Sequence, residues 1–226
     1  MHLIRDYYDS LAKDYDRDRF GNSYGRYVDA MERKILCGWL GATPPGEVID
    51  IACGTGRFLD FAMTGVDISQ EMLTVAAGKY PDRHLIQTGL PGLEAVEGSF
   101  KAAMCFHVFM HFDEKLIKES LGGIARVVEA GGVLIMDIPS KHRRELGRRV
   151  SSESGWHGNT SATRADLERW AELHWRIIRR RGILFFPIHR FPSAIRPFFR
   201  KLDELIGRTP LARFSSYLIY QLERRQ

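Results

Sequence analysis

The sequence contains little cysteine and no long apolar run. Its three cysteines, Cys37, Cys53 and Cys105, are scattered over 226 residues without CxxC spacing. This pattern predicts neither a disulfide framework nor a zinc site, and no other metal site is indicated. No apolar stretch approaches the roughly 18 residues that a membrane-spanning helix needs. The N-terminal segment also lacks the apolar region of a secretory signal peptide, so we expect a reduced, cytoplasmic location.

Acidic and basic residues are unevenly distributed along the chain. Residues 1–140 contain 14 Lys and Arg against 20 Asp and Glu, whereas residues 141–226 contain 19 against 8. The C-terminal part therefore carries a net charge of +11. Such asymmetry favours an anionic partner for that part of the chain, although a solvated arginine-rich surface explains it equally simply.

Short apolar runs rich in β-branched residues alternate with helical patterns five times before residue 140. This alternation predicts an α/β fold with a doubly wound, mostly parallel sheet. Ligands of such sheets bind beyond the carboxyl ends of the strands. The side chains that fall near those ends are Asp50, Asp67, His107 and Asp137.

Segments outside this alternation complete a single domain over residues 1–226. Residues 3–18 and 26–40 have helical periodicity and are expected to form an N-terminal helical cap within residues 1–40. Two late strand patterns, WRIIRRRGILFF and FSSYLIYQLERR, predict antiparallel strands at the C-terminal edge of the sheet. Residues 187–212 lie between them and are expected to act as a substrate lid. Ser69 and Thr163 are expected to cap the helices that follow them.

The most informative stretch is the glycine turn DIACGTGRF, residues 50–58. A phosphate-binding loop needs a lysine after its last glycine, but Arg57 follows Gly56. The dinucleotide fingerprint needs a third glycine where this chain has Leu59. The Asp50 carboxylate would repel a pyrophosphate and attract a cation. The turn therefore favours S-adenosylmethionine, which is cationic at its sulfur and its amino group.

Two neighbouring segments complete the predicted cofactor site. GVDIS places Asp67 at the end of the second strand, where its carboxylate can accept hydrogen bonds from both ribose hydroxyls. RFLDFA, residues 57–62, is expected to be a short helix whose N terminus faces the methionyl carboxylate.

At these motifs the sequence resembles the class I S-adenosylmethionine-dependent methyltransferases, especially the small-molecule type 11/25 group. VIDIACGTGRF resembles their first motif, with Ala52 where many members have glycine, and GVDISQEML resembles the second. GSFKAAMCFHVFMHFD and IARVVEAGGVLIMDIP resemble the segments around the fourth and fifth strands. YYDSLAKDYD resembles the N-terminal segment that closes over the cofactor. The resemblance covers residues 5–140.

The resemblance implies roles for individual residues. The expected cofactor-binding residues are Tyr7, Tyr15, Asp50, Ala52, Gly54, Gly56, Asp67, Ile68, Met72, Leu90 and Phe106. Among them the two tyrosines would cap the cofactor, Ile68 and Met72 would flank the adenine, and Leu90 would offer backbone to it. Phe106 and His107 would lie near the sulfonium.

The chain departs from the family pattern at two points. Gly89 stands where the family usually has an acid that binds the adenine amino group. Only ten residues separate Gly56 from Asp67, which is short for a helical crossover. These departures also favour a non-catalytic hypothesis, in which the chain acts as a partner or sensor protein.

Catalysis is expected to depend largely on alignment, because the sulfonium is already activated. An oxygen acceptor often needs a general base as well, and the candidates are His107 and His111, followed by His157 in a polar loop. Asp137 fits a catalytic or a structural role equally well. We expect the acceptor to be a small molecule or a glycan, either free or lipid-linked, that is methylated on oxygen in preference to nitrogen.

The C-terminal segment interleaves arginines with aromatic residues. Residues 176–201 are consistent with a solvated surface or with association at a membrane surface, in which case the protein would be peripheral. Nucleic acid ranks lower as a partner, because no separate RNA-binding module is visible; an RNA methyltransferase is the corresponding alternative function. The sequence indicates no oligomeric state.

Overall fold

Seven strands form one sheet in the computed structural model, which describes residues 2–147 and 158–226. The strands are β1 (Val48–Ile51), β2 (Thr64–Asp67), β3 (His84–Gln87), β4 (Phe100–Cys105), β5 (Val128–Pro139), β6 (Trp175–Ile183) and β7 (Tyr217–Arg224). Their order in the sheet is β3-β2-β1-β4-β5-β7-β6. The first five strands are parallel, and β7 is antiparallel to both of its neighbours. The predicted fold class is confirmed.

Eight helices accompany the sheet within the described residues. They are α1 (His2–Leu11), α2 (Tyr15–Phe20), α3 (Ser23–Leu40), α4 (Gln70–Lys79), α5 (Glu114–Val127), α6 (Lys141–Gly147), α7 (Arg164–Ala171) and α8 (Arg196–Ile206). One apolar core lies between the sheet and helices α3 and α4, and the other lies between the sheet and helices α5 and α7. Successive strand residues alternate between these cores because side chains alternate across a strand. None of the helices of the described residues is both long and apolar enough to cross a membrane.

Local capping explains where two predicted helices begin. The Ser69 hydroxyl accepts a hydrogen bond from the backbone N–H of Met72 at 3.1 Å and caps α4. Thr163 and Asp166 form a reciprocal capping box at the start of α7. Both bonds satisfy N–H groups that have no partner inside their helix, so the two predicted caps are confirmed.

The structure corrects two predicted helices. Residues 57–62 are not helical: they form successive turns, in which Leu59 N–H donates to the Gly56 carbonyl and Phe61 N–H donates to the Phe58 carbonyl. The ten residues between Gly56 and Asp67 suffice for the buried Leu59 and Phe58 to cover the sheet, but not for a regular crossover helix. Residues 3–18 form two helices, α1 and α2, separated by a turn at residues 12–14.

The late part of the chain follows the predicted order of elements. Residues 187–212 lie between β6 and β7 and contain α8 together with short 3-10 turns. Their role as a substrate lid stays a prediction. His157 lies outside the described residues.

Candidate functional site

Polar side chains gather at the carboxyl edge of the parallel strands. Asp50 is in β1, Asp67 ends β2, His107 follows β4, and Asp137 is in β5. A cavity of about 90 Å³ opens beyond this edge. It is lined by Ile4, Tyr8, Tyr15, Ala52, Gly54, Asp67, Ile68, Met72, Thr88, Gly89, Leu90, Phe106, His107, Val108, His111 and Phe112. Most of the predicted site residues therefore converge on one place.

A second cavity, of about 40 Å³, adjoins the first and receives Asp50. The two cavities share five lining residues: Tyr15, Ala52, Gly54, Phe106 and His107. Arg57 and Phe20 line the second cavity alone. Together the cavities form an elongated site along the ends of β1, β2 and β4, with the more apolar walls around the first.

Two predicted cofactor-binding residues do not line either cavity. The Tyr7 hydroxyl accepts a hydrogen bond from Arg19 at 3.0 Å, and its neighbour Tyr8 occupies the cavity wall instead. At Gly56 the backbone has φ +82°, and an added Cβ would lie 2.9 Å from Leu59 Cδ1. Gly56 therefore serves the turn and its close packing, and its contact with a ligand stays a prediction.

The carboxyl group of Asp50 is buried and poorly satisfied. Asp50 is 3% exposed, and its Oδ2 has no hydrogen-bond partner among the described residues. Burial, with a smaller contribution from Asp67, raises the pKa of Asp50 to about 8. A cation entering the second cavity would supply the missing partner and favour the ionised carboxylate.

Asp67 is held by the backbone at the border between the turn and α4. Its Oδ2 accepts from Gly54 N–H at 2.8 Å, and its Oδ1 accepts from Ser69 N–H at 2.9 Å. Burial raises the pKa of Asp67, while these backbone donors oppose the rise. Each carboxylate oxygen can accept more than one hydrogen bond, so Asp67 retains capacity for hydroxyl donors in the first cavity.

The backbone of the turn is open toward the ligand at Gly54. Gly54 has φ +55°, and no heavy atom lies within 4 Å of the place that a Cβ would take. Ala52 has φ +57°, which is a strained conformation for an alanine. The turn can therefore bring bare backbone against a ligand, which fits the methionyl part of S-adenosylmethionine.

The position of the missing adenine-binding acid is closely packed. A Cβ at Gly89 would lie 3.1 Å from Ile68 Cβ, so Ile68 in the cavity wall would have to shift by a few tenths of an ångström to accept a side chain there. The adjacent Thr88 lines the cavity and brings a hydroxyl there. Thr88 was not among the predicted site residues, because the family pattern places its adenine-binding acid at the neighbouring position 89.

A buried cluster of charges surrounds His107. Its Nε2 lies 3.0 Å from Glu32 Oε1, and its Nδ1 lies 3.5 Å from Asp137 Oδ2. Glu32 Oε2 also pairs with Arg57 at 2.7 Å. Neither contact of the imidazole has the alignment of a hydrogen bond, but the backbone N–H of His107 donates to Asp137 Oδ1 at 2.6 Å. The backbone of His107 has φ +59°, so this geometry is imposed by its surroundings.

The charges in this cluster shift the pKa of His107. Burial alone would lower the pKa of His107, but the carboxylates of Glu32 and Asp137 outweigh burial and raise it. Burial likewise opposes ionisation of Glu32, but His107 and Arg57 outweigh it, so the pKa of Glu32 is lowered. This shift favours the protonated imidazole, in which form His107 cannot act as a general base, and burial raises the pKa of the neighbouring Asp137 as well.

Glu32, His107 and Asp137 could also be considered as metal ligands, because one ligand atom of each lies within 4.8 Å of the others. However, the two ring nitrogens of His107 face different carboxylates, and a metal ion would need one nitrogen and both carboxylates on the same side. Arg57 already neutralises Glu32. The arrangement fits a proton on the imidazole better than a metal ion.

His111 is tied to the cap and to the segment after residue 157. Its Nδ1 accepts from Gly158 N–H at 3.1 Å, so the neutral ring carries its proton on Nε2. Nε2 lies 3.1 Å from the Tyr8 hydroxyl, to which it donates. Burial raises the pKa of Tyr8, so this hydroxyl stays neutral. Both ring nitrogens of His111 therefore have hydrogen-bond partners. Nδ1, the nitrogen that could take up a proton, already accepts from the backbone N–H of Gly158.

The cap is held over the site by polar contacts from α1 and α2. The Asp9 carboxylate accepts from the Ser69 hydroxyl. Asp16 accepts from the Thr55 hydroxyl at 2.6 Å and pairs with Lys79 at 2.6 Å. These contacts hold Tyr8 and Tyr15 in the wall of the cavity.

Three further site residues were missed besides Thr88. Tyr8 stands next to the predicted Tyr7, and Arg57 directly follows the glycine turn. The guanidinium of Arg57 also lies between the rings of Phe20 and Phe58, 4.1 and 3.9 Å from their centroids. Glu32 could have been found, because it is a charged residue on the apolar face of the helix predicted over residues 26–40.

Comparison with known proteins agrees with this geometry. Residues 49–136 match the family model described as a methyltransferase domain. An uncharacterized protein of Methanocaldococcus jannaschii is 31% identical over 139 residues, which are 60% of this chain and 51% of that protein. The demethylmenaquinone methyltransferase of Tropheryma whipplei is 32% identical over 149 residues, which are 62% of this chain and 61% of that protein. The chain thus spans about half to three-fifths of the length of these curated relatives.

Among solved structures, the chain resembles the magnesium protoporphyrin IX methyltransferase of Synechocystis PCC 6803, which was crystallised with bound S-adenosylmethionine. The TM-score is 0.66 at 17% identity, and the match covers 100% of this chain and 96% of that one. At this identity the likeness concerns the fold. The sequence motifs, the match of residues 49–136 to the methyltransferase domain and the sheet order agree, and the chain is similar to the class I S-adenosylmethionine-dependent methyltransferases.

Proposed function

We propose that this protein transfers the methyl group of S-adenosylmethionine to a small-molecule acceptor. The observation that carries the proposal is the unpartnered, buried carboxyl of Asp50 beside the open backbone of Gly54. This combination fits a ligand that brings a cation and must lie against main chain. When bound, S-adenosylmethionine supplies an electrophilic methyl group on its sulfonium.

The two cavities divide the proposed cofactor contacts. In the first, Asp67 would bind the ribose hydroxyls, and Ile68, Met72 and Leu90 would flank the adenine. In the second, Asp50 would bind the ammonium group. Arg57, which lines the same cavity, would attract the carboxylate of the methionyl end. Tyr8 and Tyr15 would exclude water from above.

The histidines indicate which acceptors suit this site. His107 lies between two carboxylates, and both nitrogens of His111 have partners. Neither is arranged to remove a proton from a weakly acidic hydroxyl. We therefore propose an oxygen acceptor that is ionised before it binds, namely a carboxylate or an acidic hydroxyl. It would belong to a free small molecule or to a sugar acid of a glycan. The chain's part in catalysis is then alignment and exclusion of water.

The relative from Tropheryma whipplei favours a second candidate. Its name assigns it to demethylmenaquinone, whose reduced ring is a carbon nucleophile once a ring hydroxyl ionises. A ring carbon of a quinol is therefore the second candidate acceptor. It would use the same cofactor contacts and likewise needs no general base when the hydroxyl is acidic.

Calorimetric titration tests the cofactor part of the proposal. The wild type should bind S-adenosylmethionine and S-adenosylhomocysteine, and Asp67→Ala should weaken both by about a hundredfold, since several hydrogen bonds to a charged group are lost. Glu97→Ala, at an exposed loop position, is the matched control and should bind like the wild type. Failure of the wild type to bind either ligand would contradict the proposal and favour the non-catalytic hypothesis.

Matched pairs of acceptors test the requirement for an ionised oxygen. S-adenosylhomocysteine should form much faster with glucuronate than with glucose. It should likewise form much faster with an acidic phenol than with an aliphatic alcohol. Products are analysed by mass spectrometry and NMR, because an ester, an ether and a C-methyl group give distinct signals. Equal turnover of both members of each pair would contradict the requirement for an ionised oxygen. A C-methylated quinol would select the second candidate.

A further inference from the structure

We propose that α8, together with basic residues of β6, docks this protein on an anionic membrane surface. The helix would lie in the plane of the headgroups. This inference goes beyond the proposed function and does not depend on it. It is carried by a solvent-facing apolar stripe, by the rigid attachment of the helix, and by unpaired cations beside the stripe.

The apolar stripe consists of Ile195, Phe198 and Leu205, which are 43%, 66% and 62% exposed. Their spacings of three and seven residues place them on one side of a helix with about 3.6 residues per turn. An amphipathic helix of a soluble protein normally turns such a stripe toward the core. Here it points to solvent, which marks an interaction surface.

The opposite side of α8 is fixed to the domain through Asp203. This carboxyl group is 1% exposed and accepts hydrogen bonds from the Tyr27 hydroxyl at 2.9 Å and from Leu184 N–H and Phe186 N–H at 3.0 Å each. Asp203 thus links α8 to α3 and to the end of β6. The stripe is therefore held outward by a buried anchor, and its exposure does not come from fraying of the helix.

Basic side chains flank the stripe on one side. Lys201 and Arg208 are exposed next to it, and Arg208 shares a concavity of about 280 Å³ with Arg179 and Arg181 of β6. Among residues 2–147 and 158–226, no carboxylate lies within ion-pairing distance of these three arginines. Glu204 in the same concavity is already paired with Lys34 at 2.6 Å. The unpaired positive charge of these arginines thus borders the exposed apolar stripe.

An anionic bilayer satisfies both features at once. The phosphates of the headgroups would meet the arginines, and Phe198 and Leu205 would enter the boundary between headgroups and acyl chains. Single-stranded RNA would meet the charges but would need aromatic faces for successive bases, and on this face of α8 Phe198 is the exposed aromatic residue. The charge pattern therefore favours the bilayer, and RNA is tested as the alternative.

The test uses the full chain and sedimentation with two kinds of vesicle, pure phosphatidylcholine and phosphatidylcholine with 30% phosphatidylglycerol. The wild type should bind the anionic vesicles and should release them as the salt concentration rises. Phe198→Ser with Leu205→Ser should weaken binding by about tenfold or more, since apolar side chains no longer insert. Lys201→Ala with Arg208→Ala should weaken it by about thirtyfold, since each basic residue near an anionic surface contributes about fivefold.

Leu173→Ser with Lys115→Ala is the matched control, because Leu173 is 76% exposed and the Lys115 side chain is 85% exposed on another part of the surface. The control should bind vesicles like the wild type, and all variants should keep the wild-type thermal melting curve. The proposal is overturned if the wild type ignores anionic vesicles or if the α8 variants bind like the control. It is also overturned if a single-stranded RNA oligonucleotide, and not the vesicles, shows the dependence on these four residues.

Discussion

Replacing Asp50 by asparagine is expected to stabilise the cofactor-free protein at neutral and alkaline pH. Burial holds the pKa of Asp50 at about 8, whereas the unfolded chain ionises this group with an ordinary value near 3.9. Between these two values the native state binds one proton more than the unfolded state. The native state is therefore destabilised as pH rises, by about 1.4 kcal/mol per unit, until the folded pKa is passed.

The size of the effect follows from this difference. At pH 7 the need to keep Asp50 protonated lowers the free energy of unfolding of the wild type by about 4 kcal/mol. Asp50→Asn removes this penalty, because asparagine has no proton to release. Relaxation and water penetration reduce the gain, so we expect about 2–4 kcal/mol. In a chain of this length that corresponds to a rise in melting temperature of about 5–15 °C.

Thermal melting at several pH values checks this prediction. The melting temperature of the wild type should fall between pH 5 and pH 8, and that of Asp50→Asn should fall less. Glu97→Gln, at an exposed position, is the control and should follow the wild type. A variant that is less stable at every pH, or that falls in parallel with the wild type, would refute the argument that burial keeps the carboxyl neutral.

Binding of S-adenosylmethionine provides the second half of the same prediction. The cationic ligand selects the ionised Asp50, so its dissociation constant should fall about tenfold per pH unit between pH 6 and 7 and level off above pH 8. Binding should release a proton, which calorimetry in buffers of different ionisation enthalpy detects. Asp50→Asn should bind more weakly and without this pH dependence. A pH-independent affinity of the wild type would show that Asp50 does not titrate on binding.

Three further substitutions test other parts of the site. Glu32→Gln should lower the free energy of unfolding, measured with denaturant, by about 3–5 kcal/mol, because it leaves the buried charges of Arg57 and His107 without their shared carboxylate. An unchanged unfolding midpoint would mean that these two groups are not both charged. Ala52→Gly should raise stability by about 0.5–1 kcal/mol, since glycine adopts the positive φ without strain, and a loss of stability would contradict that explanation. Asp16→Asn should speed release of S-adenosylmethionine in stopped-flow measurements while melting stays close to the wild type, because this side chain ties the cap to the turn and to α4; an unchanged release rate would argue against the cap as the gate.

The sequence alone predicted the parts of the site that depend on residues close together in the chain. Asp50, Gly54 and Asp67 could be placed because each stands at a strand end or in the turn that follows it. The carboxyl ends of parallel strands meet at one edge of the sheet, so these residues had to converge. Strand patterns and helix caps are likewise short-range signals, as Ser69 and Thr163 illustrate.

The structure differs from the expectations where three-dimensional packing decides between neighbours. Tyr7 and Tyr8 are adjacent on α1, and only the orientation of that helix over the site determines which of them faces the cavity. RFLDFA has the composition of a helix, but the short connection to β2 restricts it to turns. The family pattern places an acid at position 89, whereas in this chain a Cβ there would lie 3.1 Å from Ile68 Cβ, and the neighbouring Thr88 lines the cavity.

The sequence by itself determined the α/β class, the alternation of parallel strands with helices and the glycine turn with its two acids, because periodicity and turn chemistry depend on residues that are neighbours in the chain. Only the tertiary structure decided the charged surroundings of His107 and the outward orientation of the apolar stripe of α8. The first depends on Glu32, which comes from α3, 75 positions earlier in the chain. The second depends on Asp203, whose burial against Tyr27 and the end of β6 turns the apolar side of the helix to solvent. Contacts between residues so far apart arise from packing, which no local pattern encodes.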